Sequence, residues 1–125
     1  TTIREISYMQ YQGSCHCGQI SYTVEAEQFP VEVTACNCSI CQRRGHLLWF
    51  LPRSALQLKT PEADMSYYTF NKHRIKHYFC PTCGCAPFGI GADGKGNEMA
   101  AINVRCLEDV DIASFKVQFF DGRSL

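Results

Sequence analysis

The chain has 125 residues, 46% of them apolar and 19% charged, long enough for one modest core and too apolar for a disordered segment. Twelve basic residues balance twelve acidic ones, which argues against a general nucleic-acid binder. No apolar run approaches the roughly 20 residues of a membrane helix, and no charged-then-apolar leader opens the chain. One cytoplasmic domain spanning 1–125 is expected, with neither nucleic acid nor membrane as partner.

Along the chain, alternation of apolar and polar side chains at period two predicts strands over 19–26, 31–36, 47–51, 66–70, 74–79, 86–90, 99–104 and 115–120. Turn signals separate them at Phe29-Pro30, Leu51-Pro52, Thr60-Pro61, Asn71-Lys72 and the glycine-rich stretch 89–97. Short helical turns are expected at 39–45 and 107–112, and no window carries a long amphipathic helix. Many short strands with frequent turns describe an all-β domain, with its cysteine clusters at strand-to-strand turns. Trp49, Phe50, Tyr67, Tyr68 and Phe70 are expected in its core.

Nine cysteines are too many for packing alone and odd in number for a disulfide framework. Metal binding accounts for them better. Cys15-x-Cys17 and Cys80-x2-Cys83 form one constellation, two hooks that can point four thiolates at a tetrahedral zinc. Pro81 and Gly84 suit the second hook by fixing one φ and permitting another to be positive.

Cys36-x-Cys38-x2-Cys41 forms the second constellation. Three thiolates leave one zinc position open, which is the mark of a catalytic rather than a structural site. His46, Cys85 and Cys106 are the residues that could close it from within the chain. Thiolate donation makes such a metal a poor source of hydroxide and a better binder of an incoming thiol. Charge is distributed to match. The acid-free windows 33–61 and 65–92 hold seven of the twelve basic residues and six of the nine cysteines. Arg43 and Arg44 directly follow the triad, where arginine forks can neutralise it or dock a substrate carboxylate.

The segments GSCHCGQISYTV, ACNCSICQRRG, HYFCPTCGCAPF, INVRCLED and FKVQFFDG, taken in that order, resemble the glutathione-dependent formaldehyde-activating enzyme family, which also contains centromere protein V. The resemblance spans about residues 11–122 and includes all seven of the pattern's cysteines. It implies an antiparallel β fold pinned by zinc knuckles and shared with methionine-R-sulfoxide reductases. In it Cys15, Cys17, Cys80 and Cys83 would hold a structural zinc, and Cys36, Cys38 and Cys41 a catalytic one that glutathione approaches. The reaction it implies is addition of glutathione to formaldehyde, a carbon–sulfur lyase-type activity giving S-(hydroxymethyl)glutathione. Two departures from the pattern are visible, Cys85 after Gly84 and the bulky run Leu47-Leu48-Trp49-Phe50.

On this reading the Cys36/Cys38/Cys41 zinc binds the thiol, Arg43 or Arg44 holds a glutathione carboxylate, and His46, His73 or His77 carries the proton. Three rivals stand beside it. The first is a non-catalytic zinc protein that binds a partner. The second is a sulfoxide reductase that uses Cys106, and the third an iron–sulfur cluster on the triad.

Overall fold

The computed structural model describes residues 9–27, 30, 32–70, 72–93 and 95–124. The turn signals at Phe29 and Asn71, and the expected start of a strand at residue 31, lie outside these. Among the described residues ten strands form in chain order: β1 (Met9–Ser14), β2 (Ser21–Ala26), β3 (Glu32–Cys36), β4 (Leu48–Pro52), β5 (Leu56–Leu58), β6 (Ser66–Tyr68), β7 (Ile75–Phe79), β8 (Phe88–Ala92), β9 (Glu98–Asn103) and β10 (Lys116–Phe120). One helix, α1 (Ser39–Arg44), follows β3 directly. The fold is all-β.

The strands make a three-stranded sheet in the order β1-β2-β5 and a seven-stranded sheet in the order β10-β3-β4-β9-β8-β7-β6. Every pairing is antiparallel except that of β10 with β3, which runs parallel. Pleating sends alternate side chains of the larger sheet to opposite faces. Tyr78, Phe88, Ile102 and Trp49 are register partners along one row, and all four are buried. This inner face packs on Tyr22, Val24 and Leu56 of the smaller sheet. Tyr22 meets Phe88 edge-on at 5.2 Å, and Tyr11 meets Trp49 at 5.8 Å, within the favoured range for aromatic pairs.

The next row, His77, Gly89, Ala101 and Phe50, faces the other way. Here the structure corrects the expected core. Trp49 is buried, but Phe50, Tyr67 and Tyr68 are each about half exposed. On that outer side Tyr68, Phe70 and His77 stack in succession at 5.8 and 5.4 Å. The helical turn expected at 107–112 is also replaced: 3-10 turns lie at Val104–Cys106 and Ile112–Ser114, and Leu107 bridges Gly13 between them.

Candidate metal centres

The first four cysteines converge. Their sulfurs all lie within 4.8 Å of one another, with Cys15–Cys17 at 3.7 Å and Cys17–Cys80 at 3.6 Å. Four thiolates held about 2.3 Å from a tetrahedral zinc stand about 3.8 Å apart, so the donor set fits that ion. The two hooks share one backbone design. Cys15 donates its N–H to the Ile20 carbonyl and Cys80 to that of Cys85, five residues on in both cases, at 3.1 and 2.9 Å. Gly18 and Gly84 close the turns with φ of 85° and 81°, a conformation that costs a residue with a Cβ. Backbone N–H groups of Ile20, Thr82 and Cys83 point at sulfur at 3.2 to 3.4 Å.

Crowding splits the thiols. The Cys17 and Cys85 N–H groups hold Cys83 down at about 5, and the Cys83 and Thr82 N–H groups lower Cys80. The Gln19 N–H pulls on Cys17 in the same sense, but burial and the neighbouring sulfurs outweigh it and push that thiol up to about 12. Like charges that cannot all ionise alone can do so around a dication.

The second cluster brings together Cys36, Cys38 and Cys41, again within 4.8 Å. Cys36 ends β3, Cys38 caps the N-terminus of α1, and Cys41 lies one turn in. Cys41 is buried, whereas Cys36 and Cys38 are half-buried. Burial raises Cys36 and, more strongly, Cys41. It works against Cys38 too, but the Cys41 N–H and side chain, with Cys36 and the Ile40 N–H, bring that thiol down. This cluster likewise fits a soft or borderline cation, with three ligands rather than four.

None of the expected fourth ligands joins it among the described residues. α1 ends at Gly45 with φ 68°, which redirects the chain, and His46 enters the interior with 9% of its surface exposed. Cys106 and Cys85 lie instead beside the first cluster. Burial and the Cys85, Cys15 and Cys83 sulfurs push Cys106 up to about 11, which makes it a poor redox nucleophile.

The arginines take different courses. Arg43 folds back on its own helix, donating to the Ser39 carbonyl at 2.9 Å. Arg44 reaches towards β7 and lies over the Phe79 ring at 5.7 Å. Neither is in an ion pair among the described residues. Burial and the Arg44 charge lower both His46, to about 4, and His77, so both imidazoles are neutral at pH 7. His73 is exposed on the far turn, beside Thr69 at 2.7 Å.

The pattern of the glutathione-dependent formaldehyde-activating enzymes matches residues 10–122. The chain belongs to that family. A crystal structure of a Rhodobacter sphaeroides protein is similar to this one with a TM-score of 0.75 and 29% identity, covering 90% of this chain and 100% of that one. As a member of the formaldehyde-activating family the chain is associated with glutathione and aldehyde chemistry, and its two cysteine clusters are where a metal could be held. The neutral His77 beside Arg44 is the feature that spacing alone did not single out, because β7 and α1 are distant in sequence.

Proposed function

We propose that this protein is a zinc-dependent S-(hydroxymethyl)glutathione synthase-like enzyme, of the carbon–sulfur lyase class, adding glutathione to formaldehyde or a related small aldehyde. The observation that carries this reading is the three-sulfur cluster, with Cys36 and Cys38 half-buried and no fourth side chain joined to it among the described residues. Cys15, Cys17, Cys80 and Cys83 would hold a structural zinc and Cys36, Cys38 and Cys41 the catalytic one. When bound there, zinc supplies a lowered pKa for an incoming thiol.

Arg43 and Arg44, in no ion pair among the described residues, receive a carboxylate of glutathione and set its sulfur towards the triad. The sulfur forms a bond to the aldehyde carbon while the C=O π pair moves onto oxygen. The proton given up by sulfur ends on that oxygen, carried by the His77 imidazole, neutral and so able to accept and return it. No oxidant or reductant is consumed. The same reading takes residues 1–125 as one cytoplasmic domain.

Glutathione titration with metal analysis tests this. Cys41→Ser is expected to weaken glutathione binding at least tenfold and to abolish adduct formation from isotope-labelled formaldehyde, whereas Cys85→Ser leaves binding as in the wild type. Full adduct formation by Cys38→Ser would exclude the mechanism.

A further inference from the structure

The triad has two flanks of different character. Arg44 leaves α1 towards β7, over the Phe79 ring. Towards β10, Cys36 opens on a cavity of about 360 Å³ walled by Ala35, Asn37, Gln42, Phe119, Phe120 and Asp121. Contact with the triad is direct. A Cβ at Gly122 would lie 2.5 Å from the Cys36 sulfur and 3.6 Å from the Phe120 ring, so ring and sulfur share one corner.

Neither phenylalanine belongs to the core formed by the described residues. Phe119 is 84% exposed and Phe120 50%, on an edge strand whose five residues all face solvent. Leaving large apolar side chains in water is unfavourable by roughly 25 cal/mol for each Å², and contiguous exposed apolar surface marks a binding site. Several polar groups of this wall are already engaged. Asn37 donates to Asp121 at 3.0 Å and accepts from the Arg123 N–H at 2.9 Å. The Arg123 guanidinium donates to Gln42 at 2.5 Å, and Ser124 donates to Asp121 at 2.6 Å. What is left to meet a ligand is mainly hydrocarbon and aromatic surface, and the ionised Asp121 on its rim repels an anion.

We infer that this cavity receives the hydrocarbon substituent of the carbonyl substrate, and that the enzyme prefers an uncharged aromatic or branched aldehyde to formaldehyde, with Phe119 and Phe120 determining that specificity. The inference rests on the thiol-addition reading and deepens it: anionic glutathione enters from the Arg43/Arg44 flank and the neutral aldehyde from the Phe119/Phe120 flank. The chemistry is unchanged, since sulfur–carbon bond formation and transfer of the thiol proton to oxygen need no further reactant.

Competition between benzaldehyde and formaldehyde for glutathione tests it, using zinc-loaded wild type, Phe119→Ala and Phe119→Tyr. Adduct formation is followed by NMR. Exposure of Phe119 makes unfolding of the alanine variant an unsuitable explanation for a change. The ratio of kcat/KM for benzaldehyde over formaldehyde is expected to favour benzaldehyde in the wild type, to fall about tenfold in Phe119→Ala, as loss of an aromatic contact implies, and to recover in Phe119→Tyr. An unchanged ratio, with formaldehyde still consumed, overturns the pocket assignment alone. A dimer that becomes monomeric in Phe119→Ala by ultracentrifugation, again with an unchanged ratio, overturns it in favour of an interface between copies. Failure of both aldehydes in the wild type overturns the thiol-addition reading, and this inference with it.

Discussion

His46 stands five residues after Cys41, a spacing that reads as a ligand, and the structure makes it a neutral core imidazole instead. The reason is local: Gly45 takes a left-handed conformation and turns the chain into β4. Burial and the nearby Arg44 then hold its pKa at about 4, against an ordinary 6.5. The unfolded chain therefore binds a proton at His46 that the folded chain rejects until pH 4. Stability from this residue is fully present above pH 6.5 and is lost as pH falls towards 4, by up to about 3 kcal/mol. His46→Leu is expected to flatten this part of the profile. The measurement is the difference in denaturant midpoints between variant and wild type across pH 4 to 7, which cancels the acid sensitivity of the cysteines. A parallel profile in both proteins would remove His46 as the cause. The cysteines themselves were legible because zinc hooks are short-range objects, with ligands one or two residues apart on a turn. Arg44 was legible only as a charge, since its place over Phe79 depends on how α1 meets β7.

At the scale of elements, all eight expected strands form, most within a residue or two of the expected bounds. β1 and β5 were not foreseen. β5 has three residues, too few to show a period. β1 carries the alternation Met9, Tyr11, Gly13, but a glycine takes the place of its third apolar residue. That glycine is required, because a Cβ at Gly13 would stand 2.3 Å from the Tyr22 ring opposite it. The parallel pairing of β10 with β3 was also illegible, as strand direction leaves no trace in a period-two pattern. Its consequence is functional. β10 delivers residues 120–123 to the end of β3, where Asn37 donates its N–H to the Phe120 carbonyl at 3.2 Å. Gly122 then passes so close to Cys36 that any side chain must displace the sulfur. Gly122→Ala is expected to lose metal from the triad while keeping it at the first cluster. Native mass spectrometry would show one zinc per chain in place of two, with the melting temperature within a few degrees of wild type. Two zincs held at wild-type affinity would contradict it.

Across the whole molecule, the proposed function gives the two clusters separable duties. The first joins the turn after β1, part of the small sheet, to the turn after β7, part of the large one. Its hooks stand 63 residues apart, and a cross-link closing a loop of that length stabilises by about 4 kcal/mol in the chain-entropy account. The second cluster spans only one strand end and the helix that follows it, so it ties nothing distant together. Metal at the two sites should therefore matter to different measurements. Cys80→Ser is expected to lower the melting temperature by about 15 °C for a chain of this size and to collapse the near-ultraviolet signal of Tyr22, Trp49 and Tyr78, which lie in the core between the sheets. Cys38→Ser is expected to leave that signal and most of the melting temperature intact while removing thiol binding. Graded chelation of the wild type should reproduce both in sequence. The first cluster can offer four sulfurs, with Cys15 and Cys80 almost fully buried and Cys17 exposed, whereas the triad can offer three, so the triad is the weaker of the two sites. Activity is thus expected to be lost with the first equivalent of metal removed and the fold with the second. If one chelation step removed both together, the clusters would be coupled through the larger sheet, and the division into a staple and a reaction centre would fail.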